Sequence, residues 1–271
     1  MKEICIAILQ YNSTEFTIQL LESLIKLEAN NLDKYRIILM DNASENPGRE
    51  NILSKFPFVE FIQYEKNYGF AKAHNLLLPQ INENWLLLLN NDCILVNNAI
   101  ERILTLSKEL DADFSTGNLL NKDGTPQINF SITPTPLRWL FIVFTGFNKI
   151  ITRFRLHSNI SRVGYINGAL LLIKKTVIDN IGLFDDSLFM YTEDTDLMFR
   201  LHKNHYKGFR FRDPKVIHLG GGSAKKKWTQ NELENIKKEQ LYKCMLKHFP
   251  RWQVLLWSMT RTIYEKIQKL L

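Results

Sequence analysis

The sequence contains no run approaching the ~20 consecutive apolar residues that a membrane-spanning helix needs, so nothing in its 271 residues reads as a transmembrane segment. No secretory leader is visible either. Met1-Lys2-Glu3 runs straight into an apolar strand of six residues without a small-residue cleavage site, and the expected location is the cytoplasm. Cysteine is scarce: Cys5, Cys93 and Cys244 are scattered, which excludes a disulfide framework and zinc-ligand spacing and fits reduced, buried thiols. Zinc-finger and RNA-binding signatures are missing, so nucleic acid is not an expected partner despite a net charge of +7. There is no internal repeat and no low-complexity tract. The first strand is followed by Gln10-Tyr11-Asn12-Ser13 rather than a glycine-rich triphosphate loop, which argues against a sugar nucleotidyltransferase.

What is present suits one or two globular domains with a full-sized core, at 45% hydrophobic and 23% charged residues. Strand and helix signals alternate. Residues 4–9 are a continuous apolar run of strand length, and Ser13 can cap a helix over 14–26. Strands at 35–40, 59–63 and 85–89 alternate with helices at 51–56, 71–78 and 97–110, and a further strand covers 113–117. This is the pattern of an α/β protein with a parallel, doubly wound sheet. Ligands of such sheets bind beyond the carboxyl ends of the strands. Tyr11, Asp41, Asn67 and Asp92 all fall just past those ends. Turn chemistry accounts for any one of them equally well, because Asn and Asp favour turns.

Beyond residue 117 the pattern weakens. The segment 131–160 carries Pro134, Pro136, the apolar run 140–144 and basic Lys149, Arg153 and Arg155. It reads as an amphipathic segment on a membrane surface or as a helix packed on the core or on a partner subunit. Gly168, before a strand at 170–173, points to close approach of backbone to a neighbour. Thr192-Glu193-Asp194 sets two carboxylates at the mouth of a helix whose Leu197, Met198 and Leu201 share a buried face. Acidic residues there also serve as ordinary caps that complement the helix dipole. A short strand ends at His218, a glycine run and Lys225-Lys226-Lys227 follow, and helices cover 230–248 and 252–271. The last helix is amphipathic and basic, and can be a membrane foot, a cover for the fold's own surface or a homodimer contact.

Taken together, these motifs resemble the family 2 glycosyltransferases, inverting enzymes with the GT-A fold, and within them the bacterial rhamnosyltransferases of cell-surface polysaccharide assembly. The resemblance covers residues 4–223, and the motifs occur in the family's order. It implies a Rossmann-like, mostly parallel sheet flanked by helices, with a C-terminal helical extension. Residues 1–223 would form the transferase domain, 1–117 its nucleotide-sugar half and 118–223 its acceptor half, with a loop and amphipathic helices at 224–271. Gln10-Tyr11-Asn12 stands where the family's first loop lines the nucleotide pocket. In Met40-Asp41-Asn42-Ala43-Ser44 the aspartate occupies the base-binding position, and a carboxylate can accept the imide N–H of uracil or thymine. Asn67-Tyr68-Gly69-Phe70-Ala71, with Asn75 further on, borders nucleotide and sugar.

The family's metal motif is often Asp-x-Asp; here it is Asn90-Asn91-Asp92, with the first acid replaced. Asp92 would supply a hard oxygen ligand for Mn²⁺ or Mg²⁺, and His218, before Gly221-Gly222-Ser223, matches a late histidine that can be a second ligand. Thr192-Glu193-Asp194 matches the Thr-Glu-Asp motif whose aspartate is the base; Glu193 positions the acceptor or caps the helix. Asn90, Asn91, Gly168 and Lys225 complete the donor set, with Lys225 in a loop able to close over a diphosphate. The implied donor is dTDP-rhamnose or a UDP-sugar, and the implied acceptor a glycan or lipid-linked glycan, with peripheral contact to the inner face of the cell membrane. The competing reading is a nucleotide-sugar- or glycan-binding protein that has lost turnover, which the replaced acid at Asn90 keeps open.

Overall fold

The computed structural model describes residues 2–131, 135–138, 140, 155–188, 192–220 and 230–270. The expectations placed on Lys225-Lys226-Lys227, on Gly221-Gly222-Ser223 and on most of the apolar run 140–144 lie outside the described residues.

The first half is the alternation that the sequence predicts: β1 (Ile4–Gln10), α1 (Thr14–Glu28), β2 (Tyr35–Asp41), α2 (Arg49–Lys55), β3 (Val59–Gln63), α3 (Gly69–Leu77) and β4 (Trp85–Leu89). The four strands are parallel, in the order β3-β2-β1-β4. The inner strands β1, β2 and β4 are buried on both faces, which is why they read as apolar runs, while β3 lies at the edge with Glu60 and Gln63 exposed. Ile4, Ile6 and Ile8 join Leu20, Leu21 and Leu24 of α1 in one layer, while Cys5 and Ala7 join Leu77 of α3 in the other. The strand order reverses direction between β1 and β4, and the crevice beyond that reversal is where sheets of this kind take ligands.

The second half is mixed. It comprises β5 (Cys93–Leu95), α4 (Ala99–Glu109), β6 (Phe114–Leu120), the short β7 (Pro126–Gln127) and β8 (Phe130–Ser131), β9 (Ile160–Val163), β10 (Tyr165–Ile166), β11 (Leu170–Lys174), α5 (Lys175–Ile181), α6 (Glu193–Lys203) and β12 (Gly208–His218). The β11 strand lies antiparallel between β4 and β6, and β12 runs parallel to β6 and antiparallel to β5. Two helices close the chain, α7 (Gln230–His248) and α8 (Arg251–Leu270). They reach α6 through a separate apolar cluster of Leu188, Phe199, Cys244, Met245, Val254 and Trp257.

The strand expected to be short before His218 is eleven residues long. Pro214 hides it: the residue has no N–H for the ladder and sits where the register with β6 shifts, between Arg210 and Lys215. Opposite the bulge, Gly117 is required, because a Cβ there would stand 2.8 Å from the Pro214 carbonyl oxygen.

On the same strand Arg210 is fully buried. It donates to Asn118 Oδ1 at 2.5 Å and to the carbonyls of Arg155, Leu156 and Ser158 at 3.0, 3.4 and 3.1 Å, and it lies over the Phe130 ring. Burial lowers its pKa to about 10. Arg210→Leu strands several buried acceptors together, and stability should fall by about 2–4 kcal/mol, seen as a lower urea midpoint at unchanged slope.

Candidate functional site

The loops after β1, β2 and β3 are tied into one platform. Gln10 is buried; its Nε2 donates to Asp41 Oδ2 and to the Pro47 carbonyl, both at 2.8 Å, while its Oε1 accepts from Thr17 at 2.8 Å. Asp41 Oδ1 accepts the Ser44 N–H at 2.9 Å. Asn12, with a left-handed φ of 50°, donates its N–H to Ser44 Oγ at 2.8 Å and accepts from the Glu45 N–H at 2.9 Å. Asn42 continues the chain. It donates to Asn67 Oδ1 and accepts the Tyr68 N–H, both at 2.9 Å. Asn67 Oδ1 also takes the Gly69 N–H at 2.9 Å, where φ of 76° opens α3. Ala43, at φ 64°, is a non-glycine residue in the same left-handed region, an uncommon conformation concentrated at ligand-facing loops.

Expected site residues fall into two groups. Asp41 is fully buried, with a donor on each oxygen, and Asn91 turns into the fold, donating to Ser13 Oγ at 2.7 Å and Thr17 Oγ1 at 3.1 Å. Asn75 likewise spans both backbone groups of Phe184. Tyr11, Asn12, Asn67, Gly69 and Asn90 retain exposure at the carboxyl edge of the sheet. Among the described residues, a Cβ on Gly168 would meet only the Phe70 ring, at 3.6 Å, an ordinary contact distance.

Beyond β4, Asp92 is nearly buried and its Oδ1 lies 3.3 Å from His218 Nε2, with Asn90 Nδ2 at 3.4 Å from the same nitrogen. His218 is the last residue of β12 and pairs with Cys93. Its Nδ1 lies 2.7 Å from Gln127 Oε1. Gln127 Nε2 faces two acceptors, Asn121 Oδ1 at 3.2 Å and the His218 carbonyl at 3.4 Å, which fixes the amide's orientation. A neutral imidazole would then carry its proton on Nδ1 and face the carboxylate oxygen with its Nε2 lone pair. Two acceptors so placed are accommodated by a cation between them. A carboxylate oxygen and an imidazole nitrogen, the latter oriented through its other nitrogen, is a donor set that fits Mn²⁺ and tolerates Mg²⁺. Gln127 carries no sequence signal: it sits on a two-residue strand, far from any motif.

At the mouth of α6, Asp194 Oδ2 accepts from Tyr165 Oη at 3.0 Å and Oδ1 from Thr195 Oγ1 at 3.3 Å. Burial pushes its carboxyl above the usual range, and the donors Tyr165, Thr195 and the Gly168 N–H oppose that push. Burial, with the Asp194 charge beside it, drives the Tyr165 hydroxyl well above its ordinary value. Glu193 Oε2 accepts the Thr192 N–H at 2.9 Å, a capping contact. Two residues on, Asp196 pairs with His248 and Arg200, both at 2.7 Å. Burial alone would raise its carboxyl, but the hydrogen bonds from His248 and Arg200 hold it below the usual range. Tyr165, Gln127 and Asp196 were not among the residues the motifs pointed to.

The profile of glycosyl transferase family 2 matches residues 5–182. The chain belongs to glycosyl transferase family 2. It is 23% identical over 207 residues to an N-acetylglucosaminyl-diphospho-decaprenol L-rhamnosyltransferase of Mycobacterium tuberculosis, covering 67% of this chain and 66% of that one. This family 2 chain therefore spans just under two thirds of that relative. It is 25% identical over 179 residues to rhamnosyltransferase WbbL of Escherichia coli, covering 62% of this chain and 67% of the relative. Its fold matches the mannosyltransferase PcManGT of Pyrobaculum calidifontis, solved with GDP-Man and Mn²⁺, at a TM-score of 0.62 and 11% identity over 90% of this chain and 63% of that one. The GT-A architecture expected from the motifs is the one observed.

The Gln127 contact has a readout that needs neither metal nor substrate. Nitrogen-detected NMR of the chelator-treated protein should find neutral His218 as the Nδ1–H tautomer, and Gln127→Leu should shift it toward Nε2–H. An unchanged tautomer in the variant would mean that Gln127 does not set it.

Proposed function

We propose that this chain is an inverting transferase that moves a sugar, rhamnose in the first instance, from a nucleoside diphosphate to a hydroxyl of a lipid-linked glycan at the inner face of the cell membrane. The rhamnosyltransferases it resembles favour dTDP-rhamnose as donor; a UDP-hexose is the alternative. The observation that carries the reading is Asp194, a half-buried carboxylate at a helix mouth whose proton affinity is raised by burial and trimmed by Tyr165. That is the environment a general base needs.

In the proposed reaction an Asp194 oxygen takes the proton of the acceptor hydroxyl. The acceptor oxygen bonds to the anomeric carbon from the face opposite the nucleotide, and the electrons of the broken C–O bond leave with the diphosphate. Asp92 and His218 would hold Mn²⁺ or Mg²⁺, whose charge offsets that developing on the leaving group. Tyr11, Asn12, Asn67, Gly69, Asn90 and Gly168 would line the donor. Asp41 and Asn91, whose polar atoms the fold already uses, would serve the donor by holding its loops in place. Glu193 fits a cap better than an acceptor contact. Lys225 stays in the proposal on sequence alone, as a diphosphate contact.

The test is released nucleoside diphosphate from a panel of donors with Mn²⁺, Mg²⁺ or a chelator. Asp194→Asn should lower turnover by at least about 10²-fold, in keeping with positioned base catalysis, while calorimetry finds donor binding nearly unchanged. Joint loss of donor binding and turnover would remove Asp194 as base.

Tyr165→Phe gives a second, signed test. Its hydroxyl favours the ionised carboxylate, so its removal raises the Asp194 pKa further. The base works only when ionised, so the acid limb of the kcat/KM profile should move to higher pH. A limb that stays in place or moves to lower pH would detach Tyr165 from the base.

A further inference from the structure

The charge of the chain is divided unevenly. Residues 1–220 carry 24 Lys and Arg against 24 Asp and Glu, while residues 221–271 carry eleven against four. The whole net charge of +7 therefore belongs to the last 51 residues. Helix α8 adds a second asymmetry. Its Val254 and Trp257 are buried against Leu188 and Phe199. Trp252, Leu255, Leu256, Met259 and Ile263 are exposed by 60, 51, 41, 65 and 56%. Their spacing gathers these five within one arc of about 100° on the helix, opposite the packed side. A contiguous aliphatic and aromatic stripe of this kind marks an interaction surface.

Charge decides between two occupants. A second copy seated on the stripe would bring two strongly cationic tails together, whereas an anionic lipid surface would attract each. A tryptophan beside Arg251 at the head of the stripe also suits the boundary between headgroups and acyl chains. We propose that α8 is a docking foot for an anionic lipid bilayer: Trp252, Leu255, Leu256, Met259 and Ile263 enter the headgroup–acyl boundary, and the net positive charge of the last 51 residues draws the anionic headgroups. The inference goes beyond the transfer reaction and does not rest on it.

Flotation of the full chain with vesicles tests it. Binding is expected to vesicles of two parts phosphatidylcholine to one part phosphatidylglycerol, and to weaken by about tenfold or more on phosphatidylcholine alone or in high salt. The triple variant Leu255→Ser, Met259→Ser, Ile263→Ser removes only exposed side chains. It should lose binding by at least about tenfold with an unchanged circular dichroism spectrum and urea midpoint. Failure of the wild type to float, equal flotation of the variant, or equal binding to neutral vesicles would each overturn the proposal. A lipid-free dimer that the triple variant converts to monomer would assign the stripe to a second copy instead.

Discussion

A carboxylate taken out of water has to be met by donors, and that constraint arranges the working edge of this sheet. Asp41, Asp92 and Asp196 are all under a tenth exposed, and burial raises Asp194. Partners of three of them come from separate pieces of chain: Gln10 and Ser44 for Asp41, Tyr165 and Thr195 for Asp194, His248 and Arg200 for Asp196, while Asp92 lies 3.3 Å from His218 Nε2. Satisfying those three acids draws together loops that the topology only brings near one another. The platform beyond β1, β2 and β3 is held chiefly by short polar side chains and backbone N–H groups, with strained turns at Asn12 and Ala43 where it opens.

Helix α6 is the hinge of this arrangement in a structural sense. Its first turn offers Asp194 to Tyr165 of β10, and its next acid, Asp196, binds His248 at the end of α7. Phe199, a turn further, enters the apolar cluster that seats α8. Arg200 clamps the approach to the helix by donating to the carbonyls of Ile181, Gly182 and Leu183 at 2.7, 2.9 and 2.6 Å. One helix thus joins the candidate base to the C-terminal pair through covalent rigidity and two kinds of contact. Polar pairing at Asp196 fixes direction, and apolar burial at Phe199 supplies most of the adhesion.

The first half of the fold was legible because its physics is local: the inner strands β1, β2 and β4, buried on both faces, must be largely apolar, and helices separate the four strands. The second half resisted reading where non-local pairing decides. Pro214 disguised the length of β12, and β5 is three residues that form a strand only because Val216 and its neighbours lie alongside. Asp92, Asp194 and His218 announced themselves by position and by motif. Tyr165 and Gln127 did not, since a lone tyrosine or glutamine on a two-residue strand becomes a partner only when the sheet closes. Asp41 was expected at a strand end and closes β2, but its burial and its two donors were beyond what a strand-end aspartate reveals.

The even charge balance of residues 1–220 bears on how a donor could be held. A balanced body projects little long-range field, so a diphosphate must be met by groups within a few ångströms. The acidic side chains at the carboxyl edge and at the head of α6, Asp41, Asp92, Glu193 and Asp194, are of the wrong sign for a diphosphate. Backbone N–H groups at the start of α3 and around Gly168 can offset part of that, as helix starts and tight loops do. In the proposed reaction the rest would come from a bound cation, which Asp92 and His218, the latter held by Gln127, would hold. In that arrangement a metal would serve electrostatics before it served chemistry, reversing the sign of an edge that otherwise repels the proposed substrate.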